Sequence, residues 1–155
     1  PNDLAKKASL IFGSSTSSGD AKKLINGISR DIDGEVNHWQ SDGLSAELQL
    51  EWEIPVSLSK VEIKCDTNVK RNILMRKDSK VDEAFWNDVP VELLKSLDLE
   101  ARIYGRWELI GAQNNNRTRL IKFSFNSVKT TAIRITLKET YGAKNAKLFE
   151  VRCYS

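Results

Sequence analysis

Glu47-Leu48-Gln49-Leu50-Glu51-Trp52-Glu53-Ile54 alternates polar and apolar residues at every step. A period of two places Leu48, Leu50, Trp52 and Ile54 on one face of a strand and the glutamates and Gln49 on the other. A helix over the same residues would scatter the four apolar side chains around its axis, so only a strand buries them together. The same pattern recurs along the chain. Val61, Ile63 and Cys65 alternate with Glu62 and Lys64, and Leu99, Ala101 and Ile103 with Glu100 and Arg102. Ile121, Phe123 and Phe125 alternate with Lys122 and Ser124, and Ile133, Ile135 and Leu137 with Arg134 and Thr136. Phe149, Val151 and Cys153 alternate with Glu150 and Arg152, while 8–14 and 107–110 read as two less regular strands.

Strands with one wet face suit antiparallel pairing. Turn residues separate them at Asp42-Gly43, Tyr104-Gly105-Arg106, Asn114-Asn115-Asn116 and Tyr141-Gly142, and 14–20 reads as a Ser/Gly-rich loop. The expectation is an all-β sandwich of about eight antiparallel strands. Residues 81–97 break the alternation. Phe85, Trp86, Val89, Leu93, Leu94 and Leu97 fall there without a period of two. We read this stretch as a long connection carrying short helices, one at 82–87 and one or two turns over 92–97.

The length, 155 residues, fits a single domain over 1–155 with one core. Its 40% hydrophobic and 29% charged content excludes a disordered or membrane-inserted chain, and no apolar run approaches the ~20 residues of a membrane span. The 24 basic residues are interleaved with 21 acidic ones. The densest basic cluster, Lys64, Lys70, Arg71, Arg76, Lys77 and Lys80, is diluted by Asp66 and Asp78. That is a solvated surface rather than a nucleic-acid-binding stripe. The chain opens at Pro1 and its one methionine is Met75, so we expect a processed product or, in preference, a piece of a longer protein.

The residues offer no catalytic constellation. General acid–base or nucleophilic chemistry needs a positioned base beside a nucleophile. The one histidine, His38, precedes Trp39 and reads as a loop residue; no serine sits in a Gly-x-Ser-x-Gly turn. Asp31, Asp33 and Glu35 read as a solvated loop. The two cysteines, Cys65 and Cys153, lack metal or redox spacing. Both point toward the core by parity, as free thiols or as one bridge. Trp39, Trp52 and Trp107 read as core.

Asp3-Leu4-Ala5, residues 8–15, Ile25-Asn26-Gly27 and Asn37-His38-Trp39-Gln40-Ser41-Asp42 resemble the opening of discoidin, or coagulation-factor type C, domains. Leu50-Glu51-Trp52 with Val61-Glu62-Ile63 resembles their second landmark, and Thr131-Ala132-Ile133-Arg134-Ile135 and Leu148-Phe149-Glu150-Val151-Arg152 their closing strands. The resemblance spans nearly the whole chain and implies a galactose-binding-like jelly roll. A narrower likeness, through residues 65–71, 81–97, 102–107 and 114–119, is to C-terminal domains of bacterial FAD-dependent oxidoreductases. The chain has no glycine-rich dinucleotide fingerprint, so no FAD is expected on it.

The resemblance also implies a structural calcium held by Asn26, Asn37 and Glu150, although the family more often has Asp and Thr at the first two positions. Sugar binders pair an aromatic platform with planar polar side chains on loops. The candidates are Trp86, Tyr104, Arg71, Asn114, Asn115, Arg117 and Tyr141. The leading expectation is a non-catalytic accessory domain, extracellular or periplasmic. It would belong to a FAD-dependent oxidoreductase, bind carbohydrate or pack on the catalytic domain. The alternatives are a carbohydrate-binding module of a secreted glycoside hydrolase and a cell-surface adhesion domain.

Overall fold

The computed structural model describes residues 3–14, 16–26, 37–66 and 90–155. Among the described residues eight strands run in chain order: β1 Leu10–Gly13, β2 Thr16–Gly19, β3 Trp39–Ser41, β4 Ala46–Cys65, β5 Leu94–Ile103, β6 Arg106–Gln113, β7 Leu120–Thr140 and β8 Lys147–Tyr154. Every pairing is antiparallel. Two 3-10 helices, Leu4–Lys7 and Ala21–Ile25, begin at Asp3 and Asp20, whose carboxylates accept from the backbone N–H of Ala5 and Lys22.

The strand count agrees with the sequence reading, but its composition differs. β4 and β7 are 20 and 21 residues long. Extended, each would reach about 65 Å, whereas a globular domain of this length is roughly 40 Å across. Each must therefore bend, and each serves two layers. One layer is β1-β4-β7-β5-β6, using Ala46 to Glu51 of β4 against Ala132 to Leu137 of β7. The other is β2-β3-β8-β4-β7, using Lys60 to Lys64 of β4 against Leu120 to Ser124 of β7. The register breaks between Glu51 and Val56 and between Leu58 and Lys60, which is where the strand turns the corner. Leu48, Leu50, Leu58, Val61, Ile63, Leu97, Leu99, Ile133, Ile135 and Val151 fill the space between the layers. This is the expected jelly-roll sandwich.

Several expectations need correction, each for a local reason. Ile54 is 76% exposed, because it falls in the register break of β4 between Glu51 and Val56. Residues 94–97 are strand, not helix. Bulges between Leu94 and Ser96 and between Ser96 and Leu97 shift the parity and bury Leu94, Ser96 and Leu97 together, a spacing that imitates a helical turn. Residues 81–89 lie outside the described residues. The Ser-rich stretch forms β2, a short edge strand on β3. Phe149 is buried outside the main core cluster. Lys64 faces Glu150 while Cys65 faces Leu148, so Phe149 is the extra residue of a bulge. It packs beneath Arg119 and Lys147, with His38 at its edge.

Trp107 is only half-buried and is not core. It pairs with Arg102 on the outer face of the first layer. The guanidinium carbons of Arg102 and Arg134 lie 4.7 and 4.5 Å from its ring centroid. Trp39 and Trp52 are buried as expected, their indole N–H groups donating to Thr16 Oγ1 and Leu4 O.

Candidate functional site

The β6–β7 connection, the β7–β8 connection and the approach to β5 meet at one end of the sandwich. Asn116 organises them. Its buried Nδ2 donates to Leu94 O at 2.9 Å and Thr118 O at 2.8 Å, and its Oδ1 accepts from Thr118 N and Oγ1. Its backbone N–H donates to Lys95 O. The triplet of asparagines is therefore not a hairpin turn, since β6 pairs with β5 rather than β7. Asn115 does take the left-handed backbone, φ +53°, that its residue type tolerates.

Tyr141 closes the arrangement. Its hydroxyl donates to Asn116 O at 2.6 Å and its N–H to Leu93 O, fixing the half-buried ring. Lys95 Nζ lies 5.7 Å from the ring centroid and 4.0 Å from Glu139. Asn114 and Arg117 stand exposed on the adjoining loop. Asp66 and Pro90, which flank residues 67–89, are anchored at this same end. Asp66 N donates to Lys147 O, and Pro90 O accepts from Leu93 N.

Of the seven residues expected to contact a ligand, Asn114, Asn115, Arg117 and Tyr141 are thus brought to this one end. Arg71 and Trp86 lie outside the described residues. Tyr104 does not join the group. It sits on the β5–β6 turn, at the far end of a ten-residue strand and so about 30 Å from the Leu94 end. Lys95 was missed, because the bulges in β5 conceal which way its side chain points.

Asn26 caps the end of the second 3-10 helix, Asn37 lies just before β3 and Glu150 is on β8. Asn26 Nδ2 donates to Asn37 Oδ1 at 3.0 Å. Glu150, 2% exposed, receives Arg152 Nε at 2.6 Å on Oε1 and Lys64 Nζ at 3.1 Å on Oε2. Burial pushes its carboxyl up, but those two cations outweigh it and hold the group below the ordinary carboxylate range. Calcium needs six to eight oxygens with carboxylate charge. Oε1 is engaged by Arg152, while Oε2 faces Lys64 as an ion pair without a hydrogen bond, so a cation would compete with Lys64 for this carboxylate; residues 27–36, between Asn26 and Asn37, lie outside the described residues. Asp31, Asp33 and Glu35 lie outside the described residues.

His38 is buried, its Nε2 3.0 Å from Ser18 Oγ and its ring edge-on to Phe149. The bond ties β2 to the start of β3. Cys65 and Cys153 are free and buried. No group of three or more His, Cys, Asp or Glu gathers as a metal site among the described residues. Among the same residues no helix is long and apolar enough to cross a membrane.

No family model matches the sequence, and no curated protein does. Solved structures match along the full length. CpGH89CBM32-5 from Clostridium perfringens, in complex with GalNAc-β-1,3-galactose, matches with TM-score 0.70 and 16% identity, over 99% of this chain and 100% of that one. Chitosan-binding module 2 of a chitosanase/glucanase from Paenibacillus sp. IK-5, in complex with chitotriose, matches with TM-score 0.73 and 11% identity, over 99% and 100%. The family 32 carbohydrate-binding module of Streptococcus pneumoniae EndoD matches with TM-score 0.65 and 12% identity, over 96% and 98%. At these identities the likeness establishes the fold: the chain has the jelly-roll architecture of family 32 carbohydrate-binding modules.

Proposed function

We propose that the chain is a non-catalytic carbohydrate-binding domain whose ligand site is the loop end around Tyr141. The observation that carries this is the fixed Tyr141 ring, bonded through its hydroxyl to Asn116 O and flanked by Lys95 and by exposed Asn114 and Arg117. A sugar ring offers C–H faces to an aromatic side chain and hydroxyls to planar amides and guanidinium groups. Two modules of the same fold hold glycans in their structures, which supports the reading. Of the possible hosts, a secreted glycoside hydrolase is the better fit, since one matched module derives from a chitosanase/glucanase. The flavin-enzyme host draws no support from the structures named above.

A glycan array followed by calorimetry tests the site. The array should include terminal galactose, N-acetylgalactosamine and chito-oligosaccharides. We expect binding to at least one neutral glycan, weakened about tenfold or more by Tyr141→Ala and by Arg117→Ala, about 1.4 kcal/mol each. Arg117 is exposed, so its variant separates ligand contact from folding. Binding that survives both substitutions, or blanks throughout, would remove the loop end from consideration.

A further inference from the structure

We infer that the opposite end of the sandwich carries a second ligand site, for an anionic saccharide. There, the β5–β6 turn and the bends of β4 and β7 enclose a cleft of about 690 Å³, within the roughly 300–1,000 Å³ of small-molecule sites. The strand corners build it. Val56, Ser57 and Leu58 still pair with Thr130, Lys129 and Val128 beyond the register break, so the two bent strands move together away from the turn. Thr130 Oγ1 lies 2.7 Å from Arg102 O and 2.8 Å from Ala132 O, and accepts from Ala132 N. It donates to one carbonyl at a time and ties the β7 wall to β5.

The lining has a definite chemistry. Pro55, Ile103 and Val128 give apolar surface, Ser127 and Thr131 give hydroxyls, and Arg102 and Lys129 give positive charge. Among the described residues no carboxylate lines the cleft. Arg102 is held over Trp107 at 4.7 Å, so its guanidinium is already oriented. Tyr104 stands at the rim, fully exposed, with φ +51° beside Gly105 at φ +78°. A two-residue hairpin turn with positive φ at both positions asks for Asn-Gly or Gly-Gly. A tyrosine is not what the turn requires, and its ring covers no core. An aromatic side chain kept in water at a disfavoured backbone conformation is an outlier from which function is reasonably inferred. Ring, hydroxyls and paired cations together suit a sugar ring bearing carboxylate or sulfate.

The inference does not depend on the loop-end site. Calorimetry with trigalacturonic acid and with a sulfated heparin-type oligosaccharide distinguishes the two anions, and an uncharged galactose oligomer is the comparison. We expect at least one anionic ligand to bind about tenfold or more tighter than the uncharged one, and to weaken as salt rises from 50 to 300 mM. Tyr104→Asn removes the ring while keeping a residue that accepts the left-handed backbone, and Lys129→Gln removes a charge from an exposed position. Each should weaken anionic binding about fivefold or more, with neutral-glycan binding at the loop end unchanged. Anionic binding indifferent to both substitutions overturns the site. No anionic binding at all also overturns it, leaving the cleft as a contact for a neighbouring protein.

Discussion

Glu150 shows how one residue type can serve two purposes at one position. The fold buries its carboxylate, which must therefore be neutralised, and Lys64 and Arg152 do so from adjacent positions on β4 and β8. Its acidity is raised in the folded state, so its contribution is fully present above the unfolded carboxylate value, near 4.3, and is lost as pH falls through the lower folded value. Glu150→Gln should cost about 2–3 kcal/mol at pH 7. That is below the 3–5 kcal/mol of a fully buried pair, because Lys64 and Arg152 keep partial access to water. As pH falls below about 4.3 the gap between variant and parent should narrow, and urea unfolding at pH 7 and pH 3.5 measures it. The same melts, run with 1 mM calcium and with chelator, should coincide. A calcium-dependent rise of several degrees would show that the metal displaces Lys64.

At the scale of elements, the loop end depends on Asn116 more than on any exposed side chain. Asn116→Ala leaves Leu94 O and Thr118 N–H without their side-chain partner, which should cost about 2–3 kcal/mol and weaken glycan binding along with it. Asn116→Asp keeps the acceptor and loses the donor, so it should fall between the two in a thermal melt. The elements also explain what could be read from the chain alone. Alternation located the centres of β4, β5, β7 and β8 because each of these strands has one dry and one wet face. It could not show that 48–54 and 61–65 are one bent strand, or that 121–125 and 133–137 are another. It also passed over β2 and β3, whose short strands show no apolar alternation: Thr16 to Gly19 is polar throughout. The two errors cancel in the count and not in the topology. Tyr104 was grouped with Tyr141 by residue type; three traverses, β6 and the two halves of β7, separate their turns and put them at opposite ends. The turn residues themselves were legible, since Gly, Asn and Tyr-Gly between apolar runs mark chain reversal whatever end they occupy.

The whole molecule decides the state of the cysteines, where the sequence left a bridge open. Val61 faces Cys153 and Cys65 lies four residues further along β4, so the two Cα atoms are about 13 Å apart along the ladder, against the 4.4–6.8 Å a disulfide spans. Each thiol is buried between the layers rather than poised for reaction. Burial pushes Cys65 up to about 11, and Cys153 is raised further by burial and by the Asp3 charge. Asp3 sits there because its carboxylate accepts from both Ala5 N and Cys153 N, joining the first turn to the last strand. At pH 8 both thiols should therefore be protonated as well as inaccessible. An aromatic disulfide reagent should titrate no thiol in the native protein over minutes, and two in denaturant. Reductant should leave the melting temperature unchanged. Because Cys65 and Cys153 share one core, their labelling should be slowed about a thousandfold or more relative to the unfolded chain, and to the same extent. Cys65 is the informative member, since its thiol donates to Arg119 O at 3.2 Å, beside the loop that carries Asn116. If Cys65 labels quickly while Cys153 stays silent, the loop end opens as a local unit, and the ligand site is assembled on a part of the fold less stable than its core.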